Sequence, residues 1–278
     1  MVFIPKDIPA LHCGEDTGYK LRHAVLRDFL PQYEGLVIVD EQHRESVHGG
    51  TLYVVATPIG NLRDITLRAL DILGGVDVIA AEDTRHSAQL LRHYQIEKRL
   101  ISFHDHNKSR QAPVLIRYLQ QGDSVALISD AGTPGISDPG FFLIREAIAS
   151  GIPVVPIPGA TALVPALILS GLPLHRFVFE GFPPARKGRK TFFNRLKDEE
   201  RTLIFYESPH RLARTITDLL AAFGVRRAAI VRELTKKFEE VIRGDLHSLS
   251  ELLQHRKLKG ECVIVVEGKS EKQVKENS

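Results

Sequence analysis

From Thr51 onward the chain alternates between short apolar runs and segments whose apolar residues recur at helical spacing. Leu52 to Ala56, Val76 to Ala81, Leu100 to Phe103, Val125 to Ser129 and Ile152 to Ile157 each read as a buried strand. They are short, aliphatic or β-branched, and bounded by Gly, Pro, Asp or Asn. Between them lie helical patterns: Leu62, Ile65, Ala69, Leu70 and Leu73; then Leu90, Leu91 and Tyr94; then Val114, Leu115, Tyr118 and Leu119. Phe141, Phe142, Ile144, Arg145 and Ile148 give a fourth, and an apolar helix ending at Ser170 follows Pro158-Gly159. Strands alternating with helices in this way predict a mostly parallel, doubly wound sheet.

Past Gly171-Leu172-Pro173, which reads as a linker, the pattern changes. Phe177 to Glu180, Thr202 to Tyr206, Ala228 to Val231, Val241-Ile242 and Cys262 to Val266 predict strands, with helices over Leu212 to Leu220 and Leu249 to Leu253. The expected fold class is therefore α/β, a mostly parallel sheet followed by a second, mixed α/β domain, divided as 49–170 and 171–268. Residues 1–48 stand apart. Leu21, Val25, Leu26, Phe29 and Leu30 could line a short helix stopping before Pro31, and Leu36 to Val39 a brief strand. This extension has no assigned role: it is either an accessory element or an over-extended gene start, Met1 being the sole methionine. Residues 269–278 are polar enough to predict disorder.

Composition narrows the function classes. At 278 residues and 43% hydrophobic content the chain can bury a sizeable core. The 37 basic residues nearly balance the 34 acidic ones, so any nucleic-acid contact must come from local clustering rather than net charge. Cys13 and Cys262 form no Cys-x-x-Cys pair, which argues against a zinc site or a disulfide framework and fits a cytoplasmic setting. No apolar run is long enough to span a bilayer and no secretory leader is evident, so no membrane partner is expected.

The polar clusters all fall at the carboxyl ends of predicted strands, where open α/β sheets place ligands. The longest is Ser129 to Gly140, Ser-Asp-Ala-Gly-Thr-Pro-Gly-Ile-Ser-Asp-Pro-Gly, rigid and short of bulky side chains. The phosphate-loop, dinucleotide and nucleophile-elbow glycine motifs are absent. His104-Asp105-His106 offers too few ligands for a metal; Asp105 and Asn107 could instead hydrogen-bond substrate, or merely cap the next helix. Glu82-Asp83-Thr84-Arg85 could put an acidic group at the mouth of the sheet, or form an ion pair and a helix cap. Arg186, Lys187, Arg189 and Lys190, flanked by Phe182, Phe192 and Phe193, could neutralise phosphates and stack on unpaired bases. The alternative is a solvated loop whose phenylalanines are core.

Taken as a set, Thr57-Pro58-Ile59-Gly60-Asn61-Leu62, Ala81-Glu82-Asp83-Thr84-Arg85, His104-Asp105-His106-Asn107, Ser129-Asp130-Ala131-Gly132-Thr133-Pro134, Pro158-Gly159, Phe205-Tyr206-Glu207-Ser208 and Arg232-Glu233-Leu234-Thr235-Lys236 resemble the tetrapyrrole methylase superfamily. The likeness is to its branch acting on small-subunit ribosomal RNA, and covers roughly residues 51–268. The resemblance implies two α/β domains with S-adenosylmethionine in the cleft between them, and a homodimer. It implies methylation of a cytidine ribose 2′-hydroxyl in the decoding centre of 16S ribosomal RNA, on free RNA or on the ribosomal subunit. It also implies cofactor contacts at Pro58, Asp130, Ala131, Gly132, Thr133, Ala160, Thr161, Tyr206, Glu207, Ser208 and Glu261. Two departures stand out: the long amino-terminal extension, and a short polar tail where many relatives continue into a helical segment, which implies a different or weaker hold on RNA.

A proton must leave the hydroxyl as the methyl group arrives, a task for a carboxylate, a His or a desolvated Lys. Glu82, Asp83, His104, Asp105 and Lys236 are the candidates, with Asp105 first. A superfamily methylase for another acceptor and a non-catalytic RNA-binding protein are the competing readings.

Overall fold

The computed structural model of the protein describes residues 46–269. The expected helix at Leu21–Leu30, the strand at Leu36–Val39 and the tail beyond Lys269 lie outside the described residues. The two sheets belong to one compact unit.

The first sheet holds β1 (Leu52–Val55), β2 (Val78–Ala81), β3 (Arg99–Ser102), β4 (Val125–Ile128) and β5 (Val154–Ile157) in the order β3-β2-β4-β1-β5, every pairing parallel. The three inner strands are buried along their whole length, which is why they read as unbroken apolar runs instead of alternating ones. Alternate side chains feed two separate cores. Leu52, Val78, Ala80, Val125 and Leu127 pack with Leu115 and Leu119 of α3 (Lys108–Gln120) and Leu143 and Ala147 of α4 (Gly140–Ala149). Tyr53, Val55, Ile79, Ala81 and Ala126 pack with Ile72 and Leu73 of α1 (Leu67–Gly75) and Leu91 of α2 (Thr84–His93). The helix after β4 forms where its spacing predicts, but on a different face: Gly140, Leu143 and Ala147 are buried, whereas Phe141 and Ile148 are about 60% exposed.

The second sheet runs β6-β7-β10-β8-β9: β6 (Phe177–Gly181), β7 (Thr202–Glu207), β8 (Arg227–Arg232), β9 (Glu240–Asp245) and β10 (Cys262–Val266). Only β6 and β7 pair in parallel; the other pairings are antiparallel, so the sheet is mixed as expected. One face is covered by α6 (Arg189–Leu196), α7 (Pro209–Phe223) and α8 (Leu246–His255), through Phe193, Leu196, Leu212, Ile216, Leu219 and Leu249. The other face is covered by α5 (Leu163–Ser170), whose Ala166 and Leu167 pack on Ile204, Val231, Val263 and Val265. This helix leaves the first sheet after β5 yet packs on the second.

Helix α6 begins inside the basic stretch read as a loop. Its first residue, Arg189, is 4% exposed: the guanidinium pairs with Asp218 at 2.6 Å and donates to the Thr215 hydroxyl at 2.7 Å and the Pro184 carbonyl at 2.9 Å. Thr215 in turn donates to the buried Glu207 carboxylate at 2.6 Å. The expectation that Arg189 meets RNA is corrected here, because its charge is already neutralised inside the fold. Phe192 and Phe193 likewise belong to the core, while Arg186, Lys187 and Lys190 are exposed.

Arg189→Ala should therefore lower the stability to urea unfolding by about 2–3 kcal/mol, since it leaves a carboxylate and a hydroxyl without their partner. Arg186→Ala and Lys187→Ala should stay within about 0.5 kcal/mol of the parent.

Candidate functional site

The strand ends of the first sheet are tied to one another before any ligand is considered. Thr57, just past β1, and Gly132, past β4, exchange two backbone hydrogen bonds: Thr57 N–H to Gly132 O at 2.9 Å and Gly132 N–H to Thr57 O at 3.0 Å. The Thr57 hydroxyl also donates to Ser129 O at 3.1 Å. Gly132 has φ +86°, a left-handed conformation in which a side chain would be strained. Farther along the loop Asp138 accepts from Gly135 N–H at 2.8 Å and Gly140 N–H at 2.7 Å, closing the turn that leads into α4. Thr133 donates to Ala160 O at 3.2 Å, joining this loop to the one after β5.

The second sheet completes a cleft. Because β7 and β10 are antiparallel, with Cys262 opposite Glu207, the end of one strand and the start of the other present Tyr206-Glu207-Ser208 and Glu261-Cys262-Val263 together. These face Asp130, Ala131, Gly132 and Thr133 of the first sheet, with Glu82 and Thr161, across a cavity of about 470 Å³. That volume lies within the range of small-molecule sites. The Tyr206 hydroxyl reaches Thr161 and the backbone of Leu163, bridging the two halves.

Of the residues read as cofactor contacts, Asp130, Ala131, Gly132, Thr133, Thr161, Tyr206, Glu207, Ser208 and Glu261 line this cleft. Ala160 contributes the carbonyl that holds Thr133, and Pro58 lines a smaller neighbouring cavity instead. Glu207 borders the cleft with its carboxylate already engaged, paired with Arg211 at 2.6 Å and accepting from Thr215 and from Ser208 N–H.

The candidate proton acceptors separate sharply. Glu82 lines the cleft. Asp83 caps α2, accepting from Arg85 N–H at 2.8 Å and His86 N–H at 3.4 Å; the Arg85 N–H bond, foremost, holds its carboxyl below the usual range. Asp105 is 67% exposed and paired with Lys108 at 2.7 Å, outside the cleft lining. Asn107 fastens the turn after β3, accepting from His104 N–H at 2.9 Å and donating to Ser102 O at 3.0 Å; it stands at the start of α3 but its side chain makes no capping hydrogen bond to the helix. The His104 and His106 rings pack edge to face, 5.9 Å apart. Among the described residues no group of three or more His, Cys, Asp or Glu side chains is arranged to hold a metal ion. Lys236 bridges Glu233 at 3.1 Å and Glu261 at 3.0 Å. Burial alone would lower its pKa, but these two carboxylates outweigh that and raise it, so the ammonium keeps its proton and cannot serve as the acceptor.

Residues not read as donor contacts complete the lining, among them Ile136, Ser137, Asp138, Phe182, Val231 and Leu234. Asp138 lay within the Ser129–Gly140 loop and could have been found there. Phe182, about half exposed, was visible only as a flank of the basic stretch. Val231, on the face of β8, and Leu234, in the turn after it, pack in one cluster with Ala166 and Leu167 of α5.

Glu82 and Asp138 both have pKa values raised above the usual carboxylate range. For Glu82 the causes are burial, then the neighbouring charges of Asp130 and Asp138; for Asp138 they are burial, then Asp105 and Asp130, opposed by its two N–H bonds. Burial also pushes the Cys262 thiol up to about 11, which leaves it an inert wall of the cleft.

Comparison with known proteins places these features in a family. The model of the tetrapyrrole (corrin/porphyrin) methylases matches residues 51–250. The ribosomal RNA small subunit methyltransferase I of Haemophilus influenzae is 52% identical over 224 residues, 79% of this chain and 79% of that protein. The protein of the same name from Escherichia coli O157:H7 is 48% identical over 233 residues, 82% of each chain. Among solved structures, uroporphyrin-III-C-methyltransferase from Thermus thermophilus shares the fold, with TM-score 0.57 and 22% identity over 78% of this chain and 94% of its own. A cobalt precorrin-4 methyltransferase does so with TM-score 0.58 and 14% identity over 78% and 95%.

The raised carboxyls give a signed prediction for stability. A carboxyl whose pKa is higher folded than unfolded contributes stability that is fully present below its unfolded value and lost as pH rises through the folded one. Combining Glu82→Gln with Asp138→Asn should therefore raise Tm at pH 7.5, and the gain over the parent should shrink as the pH approaches 4, measured by thermal unfolding across that range.

Proposed function

We propose a function from the premise that this chain belongs to the tetrapyrrole (corrin/porphyrin) methylase family, and within it to the ribosomal RNA small subunit methyltransferase I group. It is a methyltransferase, and S-adenosylmethionine is its methyl donor. Its acceptor, in this reading, is the ribose 2′-hydroxyl of a cytidine in the decoding centre of 16S ribosomal RNA, and the enzyme works in the cytoplasm as a homodimer.

The observation that carries the reading is the convergence of nine of the expected donor contacts on one cleft, beside a carboxylate of raised pKa. The cleft suits the donor chemically. Ala131 and Gly132 let backbone groups approach closely, Ile59, Val231, Leu234 and Val263 offer apolar surface to a ring, and Glu82, Asp130, Asp138 and Glu261 favour a cation. Bound S-adenosylmethionine supplies an electrophilic methyl group on a positively charged sulfur.

The chain's own part is to orient the hydroxyl and take its proton. Glu82 is the group we assign to that step in place of Asp105, because it lines the cleft, while Asp105 is exposed and paired with Lys108. Its raised pKa makes it a stronger base than an ordinary carboxylate while leaving it ionised above that value. Exposed Arg186, Lys187 and Lys190 are assigned to the RNA backbone.

The test is transfer of a radiolabelled methyl group to small ribosomal subunits from a strain lacking the modification, with the labelled nucleoside identified. Label in 2′-O-methylcytidine is the expected result; label on a base, or none, overturns the acceptor assignment. Glu82→Gln should lower kcat by about 100-fold, the scale of a lost general base, with donor affinity nearly retained by calorimetry. In the parent, log kcat should fall as pH drops through the raised Glu82 value, and the variant should lose that limb.

A further inference from the structure

Beside the donor cleft lies a second cavity of about 160 Å³ with no role in the account above. Thr57, Pro58, Gly60 and Leu62 form one wall. His86, Gln89 and Leu90, three and four residues apart and so on one face of α2, form the other. Asp130 lines both cavities.

We propose that this cavity seats the base of the acceptor nucleoside, a pyrimidine turned out of a single-stranded RNA segment. The inference rests on the methyltransferase reading and adds the acceptor's place. Size is the first reason: a cavity of about 150 Å³ holds one six-membered ring, which matches a pyrimidine better than the fused rings of a purine. Chemistry is the second. Pro58, Leu62 and Leu90 offer apolar surface to the ring faces, while Gln89, His86 and Asp130 bring a donor–acceptor amide, an imidazole and a carboxylate to its edge. A carboxylate accepting from the exocyclic amine and an amide donating to the adjacent acceptors is the pairing that reads cytosine.

The walls are held in place without the base. The Tyr94 hydroxyl donates to Leu62 O at 2.5 Å, Arg63 N–H to the Asn61 side chain at 3.1 Å, and Asp83 N–H to Asp130 Oδ1 at 2.9 Å. The Lys236 side chain covers Gly60 so closely that an added Cβ would stand 2.4 Å from its Cγ. A base bounded by Asp130 leaves its ribose at the border with the donor cleft, where the methyl group must cross. Flipping a nucleotide into a fitted pocket is the general solution for chemistry on one nucleotide within a strand.

The experiment compares the parent, Gln89→Ala and Leu62→Trp, the last filling the cavity from an exposed position that folding does not depend on. Equilibrium binding is measured to two short single-stranded oligoribonucleotides that differ only in a central cytidine or adenosine, with donor affinity followed by calorimetry. The parent should prefer the cytidine oligonucleotide, Gln89→Ala should weaken that complex about 10-fold, and Leu62→Trp should abolish the preference, all three binding the donor alike. Equal binding of both oligonucleotides by the parent, or variants that bind like the parent, overturns the assignment. Because these readouts involve no methyl transfer, they decide the pocket even if the parent proves inactive on ribosomal subunits, an outcome that would instead sink the proposed function.

Discussion

The reciprocal pair of backbone hydrogen bonds between Thr57 and Gly132 is the constraint on which the site depends. Strands β1 and β4 are parallel neighbours, so their chains leave the sheet side by side, and nothing in a parallel ladder obliges the two exits to stay together. This pair makes them do so one step beyond the sheet, in antiparallel sense, and a left-handed backbone at Gly132 makes it possible. Everything after it in the loop is then placed: Thr133 against Ala160, and Asp138 across the turn into α4. Asp130, just before the pair, is fixed by Asp83 N–H on a boundary with a cavity on either side.

Rigid placement allows an electrostatic arrangement that would otherwise relax. Glu82, Asp130 and Asp138 face one cleft, and burial with neighbouring like charge raises the pKa of Glu82 and of Asp138, so the protein alone stabilises the charges of these two poorly. A sulfonium-bearing donor supplies the missing positive charge. The same acidity repels phosphate, so in the proposed reading an RNA strand is held by groups set elsewhere and admits only a nucleoside to the site. The exposed Arg186, Lys187 and Lys190 suit the first task, and the proposed base pocket, with Asp130 as its one carboxylate, suits the second. A nearly balanced net charge is therefore compatible with an RNA substrate, the opposing charges being segregated rather than absent.

Much of this was legible in the sequence, and the failures have common physical causes. The inner strands announced themselves because burial on both faces leaves no polar positions. The loops at their ends were legible because open sheets bind ligands there and because their residue types suit close backbone approach. Side-chain direction was not. Glu82 and Asp83 are adjacent, yet one lines the cleft and the other caps a helix, a difference of a single backbone turn. Arg189 read as a phosphate ligand because its partners, Asp218 and Thr215, lie 29 and 26 residues away. In α4 the bulky Phe141 suggested a core face, but the space beneath the helix suits Gly140, Leu143 and Ala147.

Helix α5 explains why the donor cleft and the fold are hard to separate. It begins after a strand of the first sheet and buries Ala166 and Leu167 on the second, while Val164 and Ile168 on its outer side are exposed, so apolar residues run all round Leu163–Ser170 and no amphipathic stripe is visible. The cleft lies where this crossing leaves the two sets of strand ends facing, so its shape follows from the hydrophobic burial that joins the sheets. A wall made this way is costly to vary, because a substitution that reshapes it also disturbs a core. The rim formed by α2 and the Leu62 loop carries no such burden: His86, Gln89 and Leu62 are exposed and can change without loss of packing. Under the proposed placement of the acceptor, selection among acceptors is most readily altered on that rim, while the cleft beneath stays as the fold dictates.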